Sequence, residues 1–418
     1  MDKPPYTVAR TVWRAAMPRS AKRLMQPMVV ELVERRLRLQ LNGSVAAMTA
    51  GPLVVSGFLS EAKGVSQGAR LSLAAFQVAG LAPIAHDIRQ LFERRSGASA
   101  SLPTQDSGGV WFLHVNAPEA IHALGALRST EWRDRYRIAY WAYELPRVPA
   151  LWVRASAAFH EIWAPSAFVV DALRSSGVEV PVRLMPHPVA LGAPAASPHR
   201  EAFGIPADTF AVLTLADLRS SAARKNLLGA IAIYMQAFPS PALTSLIVKV
   251  REDAAHPAFL AHARHMARDR PDVQFLTGDL SLDDIHRLIA SCSLVLSPHR
   301  AEGFGLSLAE AMLAGVPVLA TGWSGNIDFM AGMPEMTIDY SLTPVRDPYR
   351  VYRARGQRWA EPDVEDAVSK LRALAASPEL RSRLAAMGRA RIEALSVPWA
   401  RNTLLDMPFG HLIVGAER

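Results

Sequence analysis

Two carboxylates and two adjacent cations carry the chemistry of this chain. Glu302 and Glu310, with seven residues between them, belong to Ser297-Pro298-His299-Arg300-Ala301-Glu302-Gly303-Phe304-Gly305-Leu306-Ser307-Leu308-Ala309-Glu310. The apolar run Leu294-Val295-Leu296 before this stretch reads as a buried strand, and Val316-Pro317-Val318-Leu319-Ala320 after it as another. A two-glycine loop and a helix must lie between them. Glu302 then sits at the mouth of the helix and Glu310 about two turns along it. Unpaired N–H groups and a positive dipole end at such a helix start suit a phosphate. One carboxylate is left to bind sugar hydroxyls on one side of it and the other to bind a ribose on the other side. This is the chemistry of a nucleotide-sugar site.

The cations lie in Asp217-Leu218-Arg219-Ser220-Ser221-Ala222-Ala223-Arg224-Lys225-Asn226, which follows the strand-like run Phe210-Ala211-Val212-Leu213-Thr214-Leu215. A polar segment between a strand and a helix falls at the strand's C-terminal edge, where open α/β sheets bind ligands. Arg224 and Lys225 there offer two charges for a diphosphate. A plain solvated helix start is the competing reading.

Alternating strand and helix signals supply the scaffold. Strands are expected at Pro52–Phe58, Ala82–Ala85, Val110–Asn116, Tyr136–Tyr143 and Glu161–Ala164, with a helix from about Gln67 to Val78 and another capped by Ser166. A second series runs through Phe210–Leu215, Leu246–Val250, Val273–Phe275, Leu294–Leu296 and Val318–Ala320. Helices are expected at Pro257–Arg268, Leu282–Ser291, Val364–Ala376 and Pro378–Leu395. Such alternation implies an α/β fold with parallel sheets. Prolines, alanines and glycines interrupt the pattern between Pro186 and Pro206. The expected organisation is a basic helical segment at 1–45, an N-terminal α/β domain at 46–190, a linker at 191–206, a C-terminal α/β domain at 207–395 and a final segment at 396–418.

With 418 residues, half of them hydrophobic, the chain can bury two cores. Apolar stretches are broken before they could span a bilayer, and the start of the chain does not read as a signal peptide. A single cysteine, Cys292, excludes an intrachain disulfide and a cysteine metal cluster and fits a reducing, cytoplasmic setting. The net charge of +8 is concentrated near the start, in Arg10, Arg14, Arg19, Lys22, Arg23, Arg35, Arg36 and Arg38. No recognition motif supports nucleic acid as partner. Mixed apolar and basic residues from Met25 to Leu41 fit either a helix packed on the domain or one lying on an anionic membrane surface.

Glu302 and Glu310, the Gly303-Phe304-Gly305 between them, and Ala314-Gly315-Val316-Pro317-Val318 resemble the donor-site signature of retaining GT-B glycosyltransferases of family 4, in particular a bacterial surface-polysaccharide group. The resemblance spans Pro52 to about Ala394. It implies two Rossmann-like domains facing a central cleft, with the last segment crossing back to the first domain. It also implies transfer of a hexose, with mannose as the first guess, from a nucleoside-diphosphate sugar to a saccharide or lipid-linked acceptor, with no cofactor and no metal. Donor contacts would come from Glu302, Gly303, Phe304, Gly305, Leu306, Glu310 and Lys225. The family has an arginine five residues before that lysine. Ser220 stands there, so Arg219 and Arg224 both remain open as the partner of Lys225.

In the first domain, the loop Gly57–Ser66 with Gly64 resembles the family loop that touches donor phosphate and acceptor. It lacks G-x-G-x-x-G spacing. His114 would contact the donor sugar as a catalytic-site residue, unless it is a buried structural histidine with Asn116 as the cleft residue. Glu144 sits at a strand end where it could touch an acceptor or simply form an ion pair. Asp328 stands where the family has a glutamate, and Asp363 reads as a helix cap. A nucleotide-sugar epimerase or hydrolase of the same fold, and an inactive nucleotide-sugar-binding scaffold, share most of these features and stay open at this point.

Overall fold

The computed structural model describes residues 48–60, 64–92, 101–104, 107–192, 197–218, 220–240, 243–251, 256–349, 351–352 and 356–415. The basic segment 1–45, Arg219 and part of the expected linker lie outside them.

Parallel pairing hides both faces of a sheet, so its strands are apolar almost throughout. That is the character of β1 (Leu53–Gly57), β3 (Val110–His114), β4 (Tyr136–Tyr140) and β5 (Glu161–Ala164). With β2 (Ile84–Asp87) and β6 (Val182–Leu184) they form a six-stranded parallel sheet in the order β2-β1-β3-β4-β5-β6. Alternate residues feed two cores. Val54, Trp111, Leu113 and Ala139 face one side. Leu53, Val55, Phe112, Ile138 and Trp163 face the other.

The second lobe repeats the plan. β7 (Phe210–Asp217), β8 (Thr244–Arg251), β9 (Val273–Leu276), β10 (Leu294–Ser297), β11 (Val318–Thr321) and β12 (Thr337–Ile338) pair in the order β12-β11-β10-β7-β8-β9. In each sheet the strand order reverses beside the first strand, at β1/β3 and at β7/β10. Ligands of open α/β sheets bind at the carboxyl ends of strands at such a switch point. The loop after β7 carries Arg224 and Lys225, and the loop after β10 carries Glu302. The topology therefore sets the cations and the acid side by side. A separate antiparallel hairpin, β13 (Tyr340–Pro344) and β14 (Arg358–Pro362), follows β12. It has no counterpart in the strand series expected from the sequence.

The helices that matter for the site are α1 (Gly64–Val78), α2 (Ala117–Ala126), α3 (Ala167–Ser175), α4 (Ala222–Lys225), α5 (Leu227–Ala237), α6 (Leu282–Ala290), α7 (Leu306–Leu313), α8 (Val364–Ala376) and α9 (Pro378–Ala394). Ser166 caps α3 by accepting from the Val169 N–H, and Asp363 caps α8 by accepting from Glu365 and Asp366.

After α9 the chain packs on the first lobe. Gly51 donates to the Leu412 carbonyl at 2.9 Å and accepts from Val414 at 3.0 Å. Trp399 is buried against Phe76 and Trp163, with ring centroids 5.4 and 5.5 Å away, and its indole N–H donates to the Pro186 carbonyl at 2.7 Å. Truncating a buried tryptophan costs about 3–5 kcal/mol, and this truncation also strands a carbonyl. Trp399→Ala is expected to lower the urea midpoint by a corresponding amount. A loss under about 1 kcal/mol would show that the segment does not anchor the lobe.

Candidate active site

The turn after β7 is built from local hydrogen bonds. Ser221 caps α4, its hydroxyl accepting from the Arg224 N–H at 3.2 Å. One turn later Asn226 adopts the left-handed conformation at φ 52°, which asparagine tolerates better than most residues. Its side chain donates to the Pro298 carbonyl at 2.8 Å. A Cβ on Gly229 would stand 2.6 Å from that amide, so α5 must present glycine there. The Arg224 carbonyl accepts from the Arg300 N–H at 2.7 Å. The loops after β7 and β10 are thus joined before any charge is considered.

Charge completes the junction. The Lys225 ammonium lies 2.5 Å from Glu302 Oε1, and the Arg224 guanidinium lies 3.1 Å from the same oxygen. Burial alone would raise the Glu302 carboxyl above its ordinary 4.5. Lys225 and Arg224 outweigh burial and hold it at about 2. Oε2 has no hydrogen-bond partner among the described residues. The acid is therefore fixed by one oxygen and offers the other.

The two cations differ in access. The Arg224 side chain is only 4% exposed, and it also donates to the Ala301 carbonyl at 2.7 Å. Its Nε is buried with no hydrogen-bond partner among the described residues. Glu144, from the first lobe, lies 3.7 Å from its other edge. Burial would lower the Arg224 pKa, but Tyr352, Glu302 and Glu144 together raise it, so it stays charged. Lys225 is 19% exposed. Lys225 is thus the more accessible of the two cations, and Arg224 is enclosed by protein.

The glycine loop approaches other backbone closely. A Cβ on Gly325 would stand 2.2 Å from the Gly303 carbonyl oxygen, and that carbonyl accepts from the Ser166 hydroxyl at 2.7 Å. Gly305 takes φ +96°, which turns the chain into α7 at Leu306. The Phe304 side chain is not open to a ligand. Its ring is buried between Phe329 and His187, at centroid distances of 5.1 and 5.0 Å, so this aromatic packs while the glycines around it shape the loop.

Glu310 is buried on α7, with His286 of α6 3.5 Å from it. Glu310 raises the His286 pKa against the effect of burial. Burial lowers the Arg70 guanidinium pKa and the field of Glu310 opposes this, so α1 of the first lobe places a cation toward the same acid.

In the first lobe, His114 is 3% exposed. It stacks on Tyr140 at 4.1 Å, its Nδ1 is 3.0 Å from the Ser72 hydroxyl, and burial with His187 nearby lowers its pKa well below 6.5. A Cβ on Gly68 would stand 2.7 Å from both histidines. His114, His187 and Phe304 form a file of rings from β3 to the Glu302 loop. The Asn116 side chain accepts from the Ala142 N–H at 3.0 Å, which ties β3 to β4. Gly64 opens α1 with open space about it. The Ser220 hydroxyl donates to the Asp217 carbonyl at 2.8 Å, within its own turn.

The structure therefore brings together Arg224, Lys225, Glu302 and Glu144. It places Glu310 farther along α7, and it leaves Asn116 and Ser220 engaged in local structure. Arg70, His187, His286 and Tyr352 were not found from the sequence. Each reaches the site through tertiary placement, and none lies in a motif. Among the described residues no cluster of three or more His, Cys, Asp or Glu side chains could hold a metal, and no helix is long and apolar enough to cross a membrane.

Two parallel α/β lobes, each with a strand-order switch point, define the GT-B fold. Anabaena HepE in complex with UDP and glucose has the same fold, with a TM-score of 0.59 and 13% identity over 84% of this chain and 97% of that one. A glycosyltransferase from Rickettsia africae ESF-5 gives 0.56 and 12% over 88% and 100%. A TarM mutant from S. aureus, in complex with fondaparinux, alpha-GlcNAc-glycerol and UDP, gives 0.50 and 12% over 69% of this chain, which spans only 54% of TarM. No curated protein sequence matches the chain. The family model described as family 4 glycosyltransferase in conflict systems matches residues 169–402, more than half of the chain, and the chain belongs to that family.

A carboxyl held at about 2 against an ordinary 4.5 contributes its stability above pH 4.5 and loses it as the pH falls toward 2. By linkage this amounts to about 3 kcal/mol. Glu302→Gln is expected to be markedly less stable than the parent at pH 6, with the gap narrowed to roughly a quarter by pH 2.5. Denaturant midpoints at the two pH values check this, and a gap independent of pH would show that Glu302 is not held as an anion.

Proposed function

We propose that this glycosyltransferase moves a hexose from a nucleoside-diphosphate sugar to a saccharide acceptor with retention of anomeric configuration and without a metal. The observation that carries the reading is Glu302. One of its oxygens is gripped by Lys225 and Arg224, while the other has no hydrogen-bond partner among the described residues, in the loop that leads into α7 at a topological switch point. Sugar hydroxyls would donate to Oε2. The diphosphate would lie against the exposed edge of Lys225 and the N–H groups that open α7. Glu310, beside His286, would accept from the ribose hydroxyls.

No side chain here stands out as a nucleophile, so the displacement we propose takes place on one face. The bond from the anomeric carbon to the phosphate oxygen breaks as the acceptor oxygen bonds to that carbon. The acceptor's proton passes to the departing phosphate. Charge grows on the diphosphate, and Lys225 with the helix N–H groups stabilises it where it develops.

A lipid-linked acceptor in surface-polysaccharide synthesis, a role for the basic segment 1–45 on an anionic membrane face and GDP-mannose as donor are the finer proposals. HepE was solved with UDP and glucose, which makes UDP-glucose an equal first choice. An Oε2 with no hydrogen-bond partner among the described residues, beside a half-buried Lys225, favours a working donor site over an inactive scaffold. A donor-only epimerase or hydrolase would turn over nucleotide sugar at full rate without acceptor.

Thermal stabilisation by GDP-, UDP-, ADP- and dTDP-sugars identifies the donor, because ligand binding to the native state raises the melting temperature. With that donor, Lys225→Ala is expected to lower transfer about 10²–10³-fold, the scale seen when one preorganised charge-stabilising donor is removed. Activity within a few-fold of the parent would refute this assignment of the site.

A further inference from the structure

Helices α6 and α7 lie against one another in the second lobe. Both are fixed by the core of that lobe, α6 through Leu288 and Ile289 and α7 through Leu308, Ala309 and Met312. Their contact also encloses two polar side chains, His286 of α6 and Glu310 of α7, each buried. The imidazole Nε2 stands 3.5 Å from Glu310 Oε1, at ion-pair distance. Glu310 Oε2 has no hydrogen-bond partner among the described residues. Two further charges face this pair. Asp283, on α6 itself, favours the charged imidazole, and Arg70 of α1 lies in the field of Glu310. Arg70 donates to the Gln67 side chain at 2.9 Å and to the Leu59 carbonyl at 3.0 Å, both within its own lobe.

Both ring nitrogens of His286 are buried and without a hydrogen-bond partner among the described residues. Buried polar groups in native proteins are nearly always bonded, and leaving one unbonded costs stability. Packing alone does not account for the ring, since leucine would fill the same space without that cost. Its one acceptor at ion-pair distance is Glu310. A separation of 3.5 Å is long for a hydrogen bond, and such contacts at binding sites commonly tighten only when the ligand is in place. Glu310 favours the charged form of the ring against burial, and that is the form whose N–H bonds a carboxylate most strongly.

We propose that His286 is a positioning residue for the ribose of the donor nucleotide, its Nε2–H engaging Glu310 Oε1 and leaving Oε2 to the ribose hydroxyls. Both acids of the site are then held in one manner, with one oxygen on a cation and the other for a hydroxyl. Glu302 is held by Lys225 and Arg224 for the sugar, and Glu310 by His286 for the ribose. The inference rests on the donor-site reading above. It extends that reading from the acid that meets the ribose to the group that aims the acid.

The test compares, by calorimetry, UDP and GDP with their 2′-deoxy and 3′-deoxy counterparts. The parent is expected to bind at least one deoxy form about tenfold more weakly than the ribonucleotide, the scale of a hydrogen bond to a charged acceptor. Glu310→Ala is expected to abolish that preference. His286→Leu and His286→Phe fill the space without a donor. Each is expected to cut the preference about threefold or more, while deoxynucleotide affinity, which also reports that the variant is folded, changes less than about twofold. His286→Gln keeps an N–H near the Nε2 position and is expected to retain most of the preference. In the Glu310→Ala background, His286→Leu should leave ribonucleotide affinity within about twofold, because the effect runs through that acid. An unchanged preference in the leucine and phenylalanine variants, an equal loss in the glutamine variant, or an effect of His286 that persists without Glu310 would overturn the proposal. A parent that binds neither nucleotide, or binds without preference for ribose, would instead defeat the donor-site reading, and that outcome is seen before any His286 variant is made.

Discussion

A carboxylate enclosed in protein is tolerated only when opposite charge and hydrogen bonds replace the water it has lost. Glu302 meets that condition through Lys225 and Arg224, and the surrounding structure serves to keep the three groups in place. The left-handed Asn226 turns the β7 loop toward β10, and the Arg300 N–H locks it there. Ser324 accepts from the Glu302 N–H at 2.8 Å, and the Gly325 N–H donates to the Glu302 carbonyl at 2.9 Å. Loops from three neighbouring strands therefore share one electrostatic centre. Removing either cation would leave a buried, undercompensated charge, which costs far more than an exposed ion pair contributes.

The cations divide the work according to their chemistry. Arginine carries a planar array of donors and suits a position where several acceptors must be met at once. Arg224 meets Glu302, the Ala301 carbonyl and the field of Glu144 from within the protein. Lysine is a compact charge on a flexible stem, suited to following a phosphate. Lys225 keeps part of its surface open. Adjacent residues in one turn thus supply a fixed cation and an accessible one, where the sequence suggests two equivalent charges.

Much of this was legible in the residues. Parallel strands are continuous apolar runs, so β7, β8, β10 and β11 stand out. The bounds of α8 were read correctly because Asp363 marks its start and its apolar positions repeat at helical spacing. Glu302 and Lys225 could be read because each closes a strand-to-loop unit. The hairpin was missed for a physical reason. Tyr340–Pro344 is a mostly exposed strand whose partner lies beyond a long loop, so neither apolar run nor alternation marks it. Tyr352, Arg70 and His286 were missed because nothing local distinguishes them. Phe304, a donor contact by the resemblance, has its ring in the core, where the file of rings from His114 reaches it.

The indole of Trp399 bonded to the Pro186 carbonyl has a mechanical consequence. Pro186 lies where the chain leaves the first lobe and Trp399 where it returns, so both crossings pass through one spot and are pinned together. One buried hydrogen bond therefore couples the outgoing segment to the returning one, so a change that loosens either crossing loosens the other with it.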